Sequence, residues 1–450
     1  MLALIFTILV FILLILGMRK KIELKTLLLG ETILILIILT FVKGSVAGDA
    51  ATGSLVFDIL SFITGFLSGN IGGVVLSMII VSAYVEVMNH IQATNKLADL
   101  ISIPVSHIKN KYIILALVMI ITGLLRTCIT SGPACVLLML ATLYPVMRRS
   151  GCTVAESCVA ILLSNSLCWG PADPIDMAAA GLMGIEVNSA EWFVSNQLLI
   201  FAIYFGFMIL VYVLLTARSA GGQNSTADAE TGTKAQLKDV PLIYALLPVL
   251  PLIIMLIFSP FFVTTVHIDI NIACFAALLI SLIVVIAFSR KAGMIPDLVR
   301  KFFDSFGDVL KTLGMPVLLA MVFASAMNAV GGMKIISEAI TNLSMPPVFL
   351  VLLLCVFAFI INVVVGSFIG ALSIAEPLAA TISAAAGLNQ PLICFLVIMA
   401  CGAGCVCSPV NPMVMILSEK VPTMELIRRT APAALIGMIA AAVIGFMAMG

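Results

Sequence analysis

Apolar runs of roughly 17 to 22 residues follow one another along this chain with short polar joints between them, the pattern of helices that cross a hydrocarbon core of about 30 Å. Met1 to Gly17 and Thr26 to Val42 are predicted as the first two crossings and Gly72 to Asn89 as the third. Ala51 to Leu67 is shorter and polar at its start; with Phe57, Phe62 and Phe66 at helical spacing, it is predicted to lie in the membrane interface. Gln197 to Thr216 crosses again. In the second half, Pro241 to Phe258, Asn271 to Phe288 and Val309 to Val330 cross, Pro296 to Gly307 is amphipathic, and Ala431 to Met449 closes the chain.

Four stretches interrupt the apolar pattern where it should be continuous. Lys111 to Arg149 holds two apolar arms that meet at a polar turn, Arg126 to Pro133, and Pro346 to Gly387 turns through Gly366 to Gly370 and Ser373 to Pro377. Thr153 to Gly184 carries SNSLCWGPADPIDMAAA, and Pro391 to Glu419 carries CSPVNPMVM. In the last two, Pro409, Asn411 and Pro412 repeat the order of Pro171, Asp173 and Pro174, about 240 residues apart. Lipid neither hydrogen-bonds a carbonyl freed by proline nor solvates a carboxylate, so such breaks belong inside protein or beside a water-filled cavity.

Lysine and arginine orient the chain. The basic joint Arg19 to Lys21 is predicted to be cytoplasmic, which places the N-terminus outside. Lys111 to Arg149 is basic at both ends, so it is either two short spans or, on the preferred reading, a re-entrant hairpin opening to the cytoplasm. Pro346 to Gly387 has no basic foot and opens to the outside. The halves are then related by inversion, an arrangement that recurs in secondary transporters. The predicted first repeat spans 1–216 (scaffold helices 1–106, hairpin 111–149, broken helix 153–187, helix 197–216). A hydrophilic cytoplasmic linker fills 217–240. The second repeat spans 241–450 (scaffold helices 241–343, hairpin 346–388, broken helix 391–419, helix 431–449). The fold class is thus an all-α polytopic membrane protein of two inverted repeats.

Composition agrees: 62% of the 450 residues are hydrophobic and 10% charged, with a mean hydropathy of +1.25, against roughly 45 to 50% and 25% in soluble domains. A net charge of +1 without a basic face excludes nucleic acid as a partner. Met1 to Gly17 has its positive charge after the apolar run, so it is predicted to be a retained helix rather than a cleaved leader. The eleven cysteines lie mostly in apolar runs and read as small packing residues, with neither a disulfide nor a metal site predicted. His90, His107 and His267 stand at predicted helix ends without metal-ligand spacing, and Ser131 has no histidine base in its region, which argues against an enzyme.

A small polar solute held within a membrane needs backbone groups released from helical bonding and small neighbours that allow close approach. The tips and breaks supply both: Thr130, Ser131 and Gly132; Asn165 and Gly170; Ser367 and Gly370; Ser408 and Asn411. Half-helix N-termini attract anions, and unwound carbonyls suit cations, so anion and cation co-transport is the natural chemistry. Arg126, one turn before the first tip, either clasps a substrate carboxylate or pairs with Asp173, Asp176 or Glu156. Asp173, Asp176 and Glu376 are candidates for ion coupling by Na+ or H+, Glu376 with the alternative of a solvated loop residue. No other cofactor is implied. Aspartates that select a cationic or zwitterionic solute such as an amino acid are the alternative; a channel should instead present a continuous polar pore.

The segment from Ala83 to Gly151, above all LLMLATLYPVM, resembles the anaerobic C4-dicarboxylate carriers of the DcuC type, as do ALLPVLPLIIMLIF, the Ser408 to Val410 turn and RRTAPAALIGM. The resemblance runs through nearly the whole chain in order. It implies a bacterial inner-membrane carrier within the ion transporter superfamily, a homodimer that moves a hairpin-bearing domain elevator fashion. It also implies succinate, fumarate or malate as substrate and Ser131, Ser367 and Ser408 as site residues.

Overall fold

The computed structural model describes residues 2–20, 22–43, 46, 51–105, 108, 110–186, 189–219, 240–258, 262–263, 265–266, 268–289, 292–331, 335 and 345–450. Within these the secondary structure is entirely helical, and eight helices are long and apolar enough to cross a membrane. The first half contains α1 (Leu2–Arg19), α2 (Leu24–Lys43), α3 (Leu55–Asn70), α4 (Leu76–His90) and α5 (Ala93–Val105). The first hairpin, α6 (Lys111–Leu125) and α7 (Gly132–Arg149), follows, then a broken helix, α8 (Val154–Ser164) and α9 (Pro174–Met183). A short α10 (Ser189–Trp192) runs through a π turn, Phe193–Gln197, into α11 (Leu198–Ser219).

The second half opens on a 3₁₀ turn, Leu242–Val249, before α12 (Leu250–Ile257), because Pro248 and Pro251 bring no N–H to a regular helix here. Then come α13 (Ile270–Ser289), the amphipathic α14 (Ile295–Val309) and α15 (Met315–Val330). The second hairpin is α16 (Pro347–Val365) and α17 (Phe368–Ala385), and the second broken helix is α18 (Gln390–Cys405) and α19 (Pro412–Ser418). α20 (Thr423–Ala440) passes through a π turn into α21 (Phe446–Met449). Hairpin, broken helix and closing helix thus appear twice in the same order.

The core lies among the discontinuous elements. α16 and α17 pack on α18, α17 also meets α9, and α11 runs along α20. Every residue of α8 from Glu156 to Ser164, and of α18 from Leu392 to Cys405, is buried. A helix apolar on all sides belongs in such an interior. Outer helices instead turn large side chains outward, among them Phe41, Phe288 and Phe349. Such faces suit contact with lipid tails.

Several boundaries differ from those predicted. The segment expected in the interface is the first part of a kinked helix, since α3 continues through Ile71–Val75, with Gly73 at non-helical dihedrals, into α4. Leu55–Gly73 is long and apolar enough to span. Its polar start is satisfied locally, because buried Asp58 accepts from the Thr52 N–H at 2.6 Å and from the Thr52 hydroxyl at 2.8 Å. The second tip is tighter than predicted: α17 begins at Phe368, so Ser373 to Pro377 is helix and not turn. The closing helix starts at Thr423, taking in Arg428 and Arg429, with Arg429 paired to Glu425 at 2.7 Å one turn away. Of the predicted linker, 220–239 lies outside the described residues, as do His107 and His267.

Candidate functional site

Four helices begin at nearly the same place, and each is capped by a residue that the sequence singles out. Ser131 Oγ accepts from Ala134 N–H at 3.4 Å to start α7, and Ser367 Oγ accepts from Gly370 N–H at 3.3 Å to start α17. Asp173 Oδ1 accepts from Ile175 N–H at 2.8 Å to start α9, and Asn411 Oδ1 accepts from Met413 N–H at 2.9 Å to start α19. Proline follows the cap in both breaks, where its missing N–H costs nothing. Side-chain caps satisfy only part of the orphan donors of a first turn, so each N-terminus keeps a partial positive charge.

Between these ends lies a cavity of about 260 Å³. Tip one contributes Arg126, Thr130, Gly132 and Pro133; break one contributes Asn165, Cys168 and Ile175. Tip two contributes Gly366, Ser367 and Phe368, and break two Cys405, Asn411, Pro412 and Met413. Six of the ten residues predicted to bind substrate therefore share one cavity: Arg126, Thr130, Gly132, Asn165, Ser367 and Asn411. The other four stand behind it. Ser131 caps α7, and Gly370 gives its N–H to Ser367. Ser408 Oγ donates to Val363 O at 2.8 Å, tying break two to the second hairpin. Gly170, at φ +116°, presses its Cα face against Thr127 and donates its N–H to Gln197.

Arg126 is almost fully buried. Its guanidinium donates to the Ile129 carbonyl and, at 3.1 Å, to Cys168 Sγ, while its Nε has no partner. Among the described residues no carboxylate pairs with it directly. Glu156, one of its predicted partners, is instead engaged by Lys111 at 3.3 Å and by the capping box with Thr153. A buried cation with unused donor capacity at the wall of a cavity is a ready anion anchor.

The three predicted coupling carboxylates are all buried, and none lines the cavity. Asp173 has one oxygen on its cap and Oδ2 unpartnered. Asp176 Oδ2 accepts from Gln197 Nε2 at 2.7 Å, leaving Oδ1 unpartnered. Glu376 lies within α17 and is wholly buried, so the solvated-loop alternative is corrected: the helix begins eight residues before it.

Several framing residues escape sequence reasoning. Gln197 bridges break one, accepting from Gly170 N–H at 2.8 Å while donating to Asp176. Trp169 stacks on Phe201 with ring centroids 3.6 Å apart and donates to Gly123 O at 2.9 Å. Gly402 lets α18 cross break one so closely that a Cβ would collide with the Ser166 carbonyl. Asn362, whose amide donates to Cys401 O at 2.5 Å, carried a readable signal. It precedes its capping serine by the same interval as Arg126 precedes Ser131.

Helical hairpins and broken helices that close on one small cavity, with eight helices among the described residues long and apolar enough to cross a membrane, are the build of a membrane carrier. The C4-dicarboxylate anaerobic carrier family, DcuC, matches residues 2–449, and the chain belongs to it. It is 23% identical over 411 residues to the probable anaerobic C4-dicarboxylate transporter DcuC of Vibrio cholerae, covering 89% of this chain and 87% of that protein. Against the anaerobic C4-dicarboxylate transporter DcuC of Escherichia coli K12 it is 22% identical over 422 residues, covering 90% and 88%. Its fold is similar to that of the Alcanivorax borkumensis YdaH transporter, with a TM-score of 0.67 at 16% identity over 94% of this chain and 98% of that one. Neisseria gonorrhoeae MtrF, described as one of a class of antimetabolite efflux pumps, gives 0.56 at 15% identity, covering 95% of each chain.

Proposed function

We propose that this chain carries C4-dicarboxylates such as succinate, fumarate or malate across the bacterial inner membrane, by cation-coupled transport or exchange. The observation that carries this reading is Arg126 facing a cavity ringed by helix N-termini, with carboxylates kept behind the walls. The N-termini and the guanidinium attract negative charge, while the C-terminal ends of α6, α8, α16 and α18 beside them suit a cation. A cavity of about 260 Å³ falls below the roughly 300 to 1,000 Å³ of drug-sized pockets, which suits a small metabolite. An amino acid would need a carboxylate at the wall for its ammonium group. Asp173 and Asp176 are the nearest candidates, and neither lines the cavity.

In this reading Arg126 and the α7 N-terminus hold one substrate carboxylate, Ser367 and the α17 N-terminus the other, and Asn165 and Asn411 orient the chain between them. The caps Ser131 and Ser367, and the cap and proline pairs Asp173 with Pro174 and Asn411 with Pro412, support two inverted repeats. Alternating access then follows from movement of the hairpins and broken helices as a unit, elevator fashion, in a homodimer. Na+ or H+ couples at Asp173, Asp176 or Glu376.

The test is uptake of labelled succinate into proteoliposomes, with and without a sodium gradient, a pH gradient or internal fumarate. Accumulation stimulated by any of these and blocked by external fumarate is expected. Folded protein that moves no dicarboxylate but takes up an amino acid would replace this reading with the zwitterion one.

A further inference from the structure

Of the three buried carboxyls, the structure treats one differently. Asp173 receives two backbone N–H groups, and Asp176 receives the Gln197 amide. Glu376 receives no nitrogen or oxygen donor at either oxygen and is wholly buried. The groups that face it come from the elements packed most extensively against α17. Cys394 and Cys401 stand on α18, Cys355 on α16 and Asp176 on α9, while α15 brings no titratable side chain. The polar hydrogen beside its carboxyl belongs to the Cys394 thiol. Its surroundings therefore hold thiols, aliphatic carbon and one like charge, and no cation among the described residues pairs with it.

Two consequences follow from elementary electrostatics. An ionised carboxylate without a partner is not tolerated in such a place, whereas the neutral acid is. Sodium, a hard ion, takes several oxygen ligands, and this carboxyl has no hydrogen-bonded oxygen neighbour to begin such a set, whereas a proton needs one oxygen.

We propose that Glu376 is the residue that carries a coupling proton, resting on the reading of this chain as a carrier. The site is about 12 Å along α17 from the cavity-lining Phe368, from the helical rise of 1.5 Å per residue, and lies where the second hairpin meets the helix after the first break. When water reaches this interface, the carboxylate takes a proton from the aqueous phase and becomes the acid. When α9, α17 and α18 close around it, only that acid fits. The closed packing described above is thus reached with the proton on board, and the step across the membrane moves the proton with it. Asp173 and Asp176, each given at least one donor, stay closer to the cavity as its charge-balancing partners.

Two measurements test this. In proteoliposomes, Glu376→Gln mimics the neutral acid, so succinate accumulation driven by an imposed pH gradient should fall at least tenfold relative to succinate–succinate counterflow by the same variant. An unchanged ratio, or wild-type accumulation driven by a sodium gradient and indifferent to pH, overturns the proposal. If the variant shows no counterflow, wild-type labelling decides: dicyclohexylcarbodiimide adds to protonated carboxyls in apolar surroundings to give an N-acylurea. An adduct on the peptide containing Glu376, declining as pH rises, supports the proposal, and its absence overturns it. The labelling requires no transport, so it still reports on Glu376 should the wild type prove inactive toward dicarboxylates.

Discussion

Among the described residues Arg126 is the one charged side chain at the cavity wall, and its surroundings say how much it should matter. A hydrogen bond to a charged group contributes roughly 1.5 to 3 kcal/mol, and bidentate clasping of a carboxylate requires the planar guanidinium. Arg126→Lys is therefore expected to raise the succinate concentration for half-maximal counterflow about tenfold or more, with the protein still folded by size-exclusion chromatography; an unchanged value would remove Arg126 from the site. Gln197 works differently, since it touches the scaffold of the break and not the cavity. Gln197→Leu orphans the Gly170 N–H and an Asp176 oxygen together, a loss of about 2 kcal/mol or more for a buried pair. Its signature is a lowered melting temperature in detergent, which a residue that served only substrate affinity would not produce.

At the scale of elements, the cavity exists because helices stop in the middle of the protein and cross without side chains between them. Gly402 is the tightest of these crossings, with the Ser166 carbonyl occupying the space of a Cβ. Backbone cannot yield as a side chain can, so Gly402→Ala should cost about 1 to 3 kcal/mol by overpacking and pull break one away from α18. Reduced folded yield with residual counterflow in the survivors is the expected outcome, and wild-type melting behaviour would show that the crossing is looser than described. Gly366 serves the second tip in another way: at φ +69° it makes the turn that lets α16 end and Ser367 cap α17.

At the scale of the whole molecule, the discontinuous elements form the buried interior, and large apolar side chains are exposed on the outside. The proposed homodimer predicts a particle of twice the 47.6 kDa chain mass by light scattering after detergent correction, and a single-chain mass would refute it. The π turns at Ile71–Val75, Leu310–Gly314 and Phe193–Gln197 join helices of the periphery to those near the site. One of them holds Gln197 against Asp176, in keeping with the tendency of such turns to lie at functional places.

The sequence alone was enough for the membrane class, the two hairpins, the two broken helices and six of the cavity residues. Those features depend on local physics: bilayer thickness sets the length of apolar runs, and Pro, Gly, Asx and Ser in the middle of a run force a break that lipid does not tolerate. That Leu55–Gly73 is long and apolar enough to span is not legible in the periodicity, because its polar start is satisfied by hydrogen bonds from Thr52 to Asp58. Tertiary structure alone decided which groups meet. Arg126 was free to pair with Glu156 as far as the sequence goes, yet Lys111 holds that carboxylate; Glu376 looked equally suited to a solvated turn, yet it is enclosed by α9, α16 and α18. A buried charge is assigned its role by donors and dielectric contributed from residues hundreds of positions away, and that information is absent from any one stretch of chain.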